Sequence, residues 1–426
     1  MNAYASMNQE ERANVHKTLL AQFEEFKNQG LKLDMSRGKP GADQLDLSLP
    51  VLDCVNGAGN CRAEDGTDCR NYGLLDGIPE AKRLFADLME VSPDEVIIGG
   101  NSSLNLIYDA IARAMSHGVY DGDKPWSQCG TIKFLCPAPG YDRHFAITEY
   151  FGFEMITVPM LSDGPDMDMV EKLVVEDEAI KGMWCVPKYS NPDGITYSDT
   201  VVRRIAALRP KAKDFRVFWD NAYIVHHLDF ENPDRLLNLL EEAKKVGNED
   251  IVYMFASTSK ITFPGAGVSC LAASKANIDF TKKQLFFQTI SYDKLNQLRH
   301  VRYFKNADGI LEHMKRHAEI LRPKFQVVFD ALDREIAPLG IGSWHTPKGG
   351  YFVSFNACDG CAKRIVALCK EAGVTLTGAG ATYPYGKDPK DANIRIAPTF
   401  PPVEELKTAM ELFCLCVKLA TIEQLV

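Results

Sequence analysis

The stretch FASTSKITFPGAG, residues Phe255–Gly267, decides how the rest of the chain is read. The apolar run IVYMFA leads into it, so Lys260 stands just past the mouth of a buried strand. Three hydroxyls precede the lysine, and Pro-Gly-Ala-Gly follows soon after. Such a place is poor for packing a lysine and poor for solvating one. It suits covalent chemistry on a phosphate-bearing cofactor. The hydroxyls of Ser257, Thr258 and Ser259 and nearby backbone amides are suitable phosphate ligands. A desolvated amine beside them loses its proton and becomes a nucleophile. A solvated loop lysine is the commoner case, and the flanking sequence has to decide between the two.

Between Asp94 and Ser274, short apolar runs alternate with longer amphipathic stretches. The runs are EVIIGG, TIKFLCP, FEMITVP, KGMWCVP, FRVFWD, IVYMFAS and GVSCLAAS. Their near-continuous apolar character predicts strands buried on both faces, as in a mostly parallel sheet. SLNLIYDAIARAMSHG and SDTVVRRIAALRPKAKDF between them have helical spacing. The last two runs are too close for an intervening helix, so one strand is expected to be antiparallel. The expected fold is α/β: a mostly parallel seven-stranded sheet flanked by helices, with a smaller α+β domain. The polar and Gly-rich motifs follow the runs, at the carboxyl ends of strands, where open α/β sheets bind ligands. The expected division is an N-terminal segment over 1–45 that packs with the small domain, a large domain over 46–314 and a small domain over 315–426.

A chain of 426 residues, 46% hydrophobic, can bury a core large enough for two lobes. A net charge of −9 and a pI near 5.6 oppose a nucleic-acid partner. The N-terminus lacks the basic and apolar regions of a signal peptide, and no apolar run approaches the ~20 residues of a membrane span. A soluble, cytoplasmic protein is expected. The twelve cysteines are scattered, several in the apolar runs, as small buried hydrophobes would be. Cys358 and Cys361 have CxxC spacing, but no second pair or histidine cluster is near, and no metal site is expected.

Three further motifs bear on Lys260. In FWDNAY, Asp220 ends a strand and Tyr223 follows; a strand-end aspartate either caps a turn or, if buried, needs a cationic partner. In VPKYSNPDG, Asn191 opens an ordinary turn or offers its amide to a ligand. In GGNSSLNLIYDAIARA, Asn101, Ser102 and Ser103 open a helix whose free amides and dipole would cradle a phosphate.

In order and spacing these motifs resemble the fold-type I pyridoxal-phosphate aminotransferases of class I/II, over nearly the whole chain. The resemblance implies pyridoxal 5′-phosphate as cofactor, with Lys260 as its Schiff-base lysine and Asp220 on the pyridine nitrogen. Tyr223 and Asn191 would meet the ring oxygen, and Tyr141 in PGYDRHF would stack on the ring. Asn101, Ser102, Ser103, Ser257 and Ser259 would hold the phosphate. Tyr72 in NYGLLDGIPEAK would reach the cofactor phosphate of a neighbouring subunit, which implies a homodimer with shared sites. Gly38 in SRGKP would lie in the segment that closes over substrate, and Arg395 in NIRIAP would grip the α-carboxylate with its two-pronged guanidinium.

One departure stands out: most of the family has a phosphate-binding arginine about eight residues after the lysine, where this chain offers Ala266, Gly267 and Val268. With SRGKP and GGNSSLNLIYD, this resembles the aspartate aminotransferase subgroup related to MocR catalytic domains. The expected reaction is amino-group exchange between an amino acid and a 2-oxo acid, aspartate and 2-oxoglutarate first. An aromatic or branched-chain aminotransferase, a C–S lyase and a non-catalytic MocR-like sensor are the alternatives. Arg37 is the first choice to read a second carboxylate, ahead of Lys39, Lys188, Lys294 and Arg299.

Overall fold

The computed structural model describes residues 2–57 and 59–426. All seven apolar runs become strands of one sheet: β1 (Val96–Ile98), β2 (Lys133–Ala138), β3 (Glu154–Leu161), β4 (Ile180–Cys185), β5 (Arg216–Asp220), β6 (Val252–Ser257) and β7 (Ser269–Ala273). Their spatial order is β1-β7-β6-β5-β4-β2-β3. β7 runs antiparallel to β1 and β6, because the short link after β6 leaves no room for a crossover helix. The remaining pairs are parallel. An eighth strand, Gly164–Pro165, folds back on the end of β3. Two residues leave no periodicity to read, so the sequence did not announce it.

The two-residue period of a strand sorts side chains to opposite faces. Along β5, Val217 and Trp219 enter one core, while Phe218 joins an aromatic layer with Phe134, Trp184 and Tyr253. Eight helices matter for the site: α1 (Gln9–Lys27), α2 (Pro79–Met89), α3 (Ser103–His117), α4 (Asp142–Tyr150), α5 (Lys294–Phe304), α6 (Ala307–Glu335), α7 (Ala362–Glu371) and α8 (Val403–Glu423). α3 begins where Ser102, in extended conformation, accepts a hydrogen bond from the Leu104 amide at 3.1 Å. Its apolar stripe of Leu106, Ile107, Ala110 and Ile111 then buries against the aromatic layer. Gly118, at φ +79°, ends it.

A second core surrounds α8, whose inward residues meet α6, α7 and α1. α6 joins the two cores. Ile310 and Met314 belong to the core under the sheet, and Leu321, Phe325, Val328 and Leu332 to the core around α8. The step expected between residues 314 and 315 therefore falls inside one continuous helix. An antiparallel sheet of β8 (Gly342–Trp344), β9 (Val353–Ala357) and β10 (Asn393–Ile396) completes the second core, with Arg395 opposite Ser354. Leu33–Asp34 pairs in parallel with Val374–Thr375. That pairing holds the chain leading to Gly38 beside the loop that continues to Thr377. Among the described residues, no helix is long and apolar enough to cross a membrane. The Cys358 and Cys361 thiols point to different carbonyls, Ile341 at 3.7 Å and Ala420 at 3.8 Å.

Candidate active site

β6 ends at Ser257, and the chain turns sharply through Ser259. Thr258, fully buried, makes that turn: its hydroxyl accepts from the Val268 amide at 2.9 Å, and its carbonyl accepts from the Ile261 and Thr262 amides. Thr258 is thus used up by the backbone and faces no ligand. Ser257 and Ser259 point the other way, 3.0 Å apart, and Ser259 donates to the Asn101 carbonyl at 2.7 Å. The turn delivers Lys260 into the cleft with its amine 4.8 Å from the centre of the Tyr223 ring. Burial pushes that amine below the usual lysine range; Asp220 opposes the fall and the Arg395 charge adds to it.

The alternation along β5 places Asp220 on the side of the aromatic layer, at the strand end. Its carboxylate is 3% exposed and lies 3.1 Å from His144 Nε2 and 3.4 Å from Ser103 Oγ. His144 stacks on Trp184 at 4.5 Å, and the Trp184 N–H is tied to Thr148 at 2.8 Å. Sequence reasoning missed His144. The signal was present, because His144 lies one helical turn beyond Tyr141, whose ring meets it edge-on at 4.9 Å. Burial raises the Tyr141 phenol to about 12, helped by the Asp220 charge, and burial likewise raises the Tyr223 phenol well above its ordinary value. Both hydroxyls are therefore donors at neutral pH.

Arg395, 6% exposed, reaches the same cleft from β10. One terminal nitrogen donates to Asp142 at 2.8 Å and to Asn191 Oδ1 at 3.2 Å; the other donates to Thr377 at 3.2 Å. Its Nε is buried without a partner among the described residues. Arginine can only donate, so it fixes the Asn191 oxygen toward itself and turns the Asn191 amide nitrogen toward the cleft. The guanidinium lies 4.9 Å over the Phe352 ring. Gly38 closes on that ring from outside, where an added Cβ would sit 2.4 Å from Phe352 Cζ. Only glycine allows so close an approach.

An inner cavity of about 100 Å³ is lined by Ser102, Ser103, Ser257, Ser259, Asn191, Asp220, Tyr141, Tyr223 and Lys260. An outer one of about 770 Å³ shares Tyr141, Asn191, Tyr223 and Lys260 with it and is rimmed by Arg37, Gly38, Lys39, Arg143, Phe352, Thr377 and Arg395. Lys260 is the one cation lining the inner cavity among the described residues. Where the family's arginine would stand, Asn296 instead ties down the Ala266 and Gly267 carbonyls, each at 2.9 Å. Asn101, expected among the phosphate ligands, lines neither cavity; it is exposed, and its side-chain amide is given to the Pro264 carbonyl at 3.2 Å. Tyr72 joins neither cavity and is 77% exposed. Lys188 faces away from the cleft, and Lys294, 2% exposed, is bound to Ser291 outside it. Arg299 does not line it either.

A buried polar clamp, silent in the sequence, holds the Lys260 turn from behind. Tyr351 donates to the Lys260 carbonyl at 3.3 Å, and His313 Nε2 donates to the Ile261 carbonyl at 2.9 Å. His313 Nδ1 must accept, because its neighbour at 2.9 Å is the Arg316 guanidinium. His317, 3.1 Å from His313, continues the chain to Gln44, and His300 holds Thr262 at 2.8 Å. Burial holds His300 and His313 down to about 4 and His317 down to about 3. In the unfolded chain these rings gain a proton near pH 6.5. Their contribution to stability is therefore complete above pH 6.5 and is lost as pH falls toward 4. We expect the unfolding free energy to drop steeply across that window, and His313→Asn to make the drop shallower by roughly 3 kcal/mol. Identical slopes for the two proteins would contradict it.

A lysine at the exit of an α/β sheet strand, a buried strand-end carboxylate and a serine-lined helix start thus meet on one cleft. The chain belongs to the aspartate amino-transferase family, whose model matches residues 7–426. It is 47% identical to an aspartate aminotransferase of Corynebacterium glutamicum over 408 residues, 96% of this chain and 94% of that one. Among solved structures, an aspartate transaminase from C. glutamicum superposes with a TM-score of 0.97 at 44% identity, covering 100% of both chains. An alpha-aminoadipate aminotransferase from Thermus thermophilus, complexed with N-(5'-phosphopyridoxyl)-L-leucine, shares the fold at a TM-score of 0.70 and 21% identity, over 93% of this chain and 94% of that one.

Proposed function

We propose that this protein exchanges the amino group of aspartate with a 2-oxo acid, 2-oxoglutarate foremost, using pyridoxal 5′-phosphate held in the inner cavity. The observation that carries the reading is the meeting of Lys260, Asp220 and Arg395 on one cleft: an amine, a buried carboxylate and a buried guanidinium with an unpartnered Nε. The residues fit the cofactor. Asp220 offers a charge for a pyridinium, Tyr141 a ring face, Tyr223 and Asn191 donors for the ring oxygen, and Ser102, Ser103, Ser257 and Ser259 hydroxyls and amides for a phosphate.

When bound, the cofactor supplies the electron sink that stabilises negative charge on the substrate's α-carbon. The protein supplies the rest. The depressed Lys260 amine is the base that takes the proton from that carbon. Arg395 binds the α-carboxylate through the edge that includes its free Nε, while Asp142 and Asn191 hold the opposite nitrogen. Asp220, held in place by His144 and Ser103, would pair its carboxylate with the ring nitrogen. Gly38 and its neighbours close over the substrate and exclude water.

The working form is a homodimer, in which Tyr72 completes the neighbour's phosphate site. This is supported by the exposure of the Tyr72 ring and by an apolar surface of Phe286, Phe287 and Ile290, exposed by 71%, 87% and 59%. A cytoplasmic location fits the twelve free cysteines. The lobes around α6 act as two units, and the N-terminal segment moves with the second.

Specificity for a dicarboxylate rests on the cationic rim, where Arg37, next to Gly38, meets the second carboxylate. Arg37→Gln should lower the ratio of kcat/KM for aspartate over alanine by roughly tenfold or more, because only aspartate uses that charge. An unchanged ratio would transfer the role to Arg143 or Lys39. A wild-type preference for aromatic or branched-chain donors would overturn the aspartate assignment.

A further inference from the structure

The alternation that turns Asp220 toward the cofactor cleft turns the next residue, Asn221, to the opposite side of the sheet. There it lines a separate cavity of about 220 Å³ that transamination does not use. The cavity lies between Trp219 and Met254 of the sheet, the end of α2, the Ile224–Leu237 loop and the first turn of α6. Lys188 projects into it, 8% exposed, with one hydrogen bond, to the Ile224 carbonyl at 2.9 Å. Among the described residues no carboxylate pairs with Lys188 within 4.0 Å. Asn221 is 6% exposed, and its side-chain oxygen is buried without a donor. Burial pulls the Lys188 amine down to about 8, against the pull of Asp234 and Glu90.

A buried ammonium without a counter-ion favours an anion, and an unpaired amide oxygen favours a donor. The remaining walls, Leu88, Met89, Trp219, Leu237 and Met254, are apolar, apart from His227, whose Nδ1 is held by the Tyr189 hydroxyl at 2.7 Å, and Asn238, whose amide is given to the Met89 and Glu90 carbonyls. Asp87 and Glu90, both exposed, stand at the rim and disfavour a dianion such as phosphate. We propose that this cavity is a second ligand site for a small monocarboxylate with a branched apolar side chain and a donor beside the carboxylate, a 2-hydroxy or 2-amino acid. Lys188 binds the carboxylate, Asn221 Oδ1 accepts from the neighbouring donor, and the apolar walls take the side chain.

The test uses L-2-hydroxy-4-methylpentanoate, which has no amino group to transfer, titrated calorimetrically into the cofactor-loaded enzyme. Saturating succinate is present to fill the substrate cleft. One molecule should bind per chain in the presence of succinate. Affinity should fall roughly tenfold or more in Lys188→Met, which removes the charge, and in Leu236→Trp, which fills the mouth. Melting temperatures would show that both variants are folded, and either one alone suffices as the comparison. Absence of saturable binding, binding abolished by succinate, or affinity equal to wild type in a folded variant would overturn the proposal.

Discussion

Lys260→Ala should give a folded protein without measurable transamination, its kcat/KM reduced by roughly four orders of magnitude or more. The reason is that the proposed function gives one amine two jobs. It anchors the cofactor, and it moves the proton of the substrate's α-carbon; its depressed pKa keeps a fraction free to do so. Truncation should leave the turn intact, since Thr258, His313 and Tyr351 hold it through backbone groups. The same variant tests the shared site. Mixed with Tyr72→Ala under conditions of proven subunit exchange, it should recover about a quarter of wild-type activity, because half the dimers would then own one unblemished site. Wild-type rates in Lys260→Ala would remove the chemical role, and failure to complement would remove the role given to Tyr72.

Asp220→Asn is the second large effect expected. The carboxylate is nearly fully buried and bonded to His144 and Ser103, so under the proposed function neutralising it would remove one side of a desolvated ion pair with the ring nitrogen. Breaking such a pair costs about 3–5 kcal/mol, or roughly 10²–10⁴-fold in kcat/KM. Cofactor affinity should fall alongside, as measured by equilibrium dialysis. Asp220→Glu should restore part of both, because the charge matters more than the shape. Normal cofactor affinity in Asp220→Asn would show that the carboxylate serves the fold rather than the ring.

Much of this site was legible in the sequence because it sits where periodicity is strongest. Each of the apolar runs formed its strand, Asp220 ends one, and Asn191, Ser102 and Lys260 follow others within a few residues, so reading the strands placed the residues. What escaped was non-local or one-sided. The family resemblance announces Arg395 but not that Asp142, from a distant helix, lies against it. A lone Lys188 reads the same whether it faces the cleft or the far side of the sheet, and burial alone decides. The histidines of α6 look like ordinary helix positions until Gln44, Ser48 and Arg316 fix their hydrogen bonds. β8 and the Gly164–Pro165 strand are too short for an alternating pattern.

The most direct measurement is a single turnover. Aspartate is added to the cofactor-loaded enzyme without any 2-oxo acid, while the visible absorbance and the products are followed. One oxaloacetate per chain should form as the visible band disappears, and 2-oxoglutarate should then restore the band with release of one glutamate. Loss of the band without oxaloacetate, or no reaction with aspartate while another donor converts the enzyme, would contradict the account.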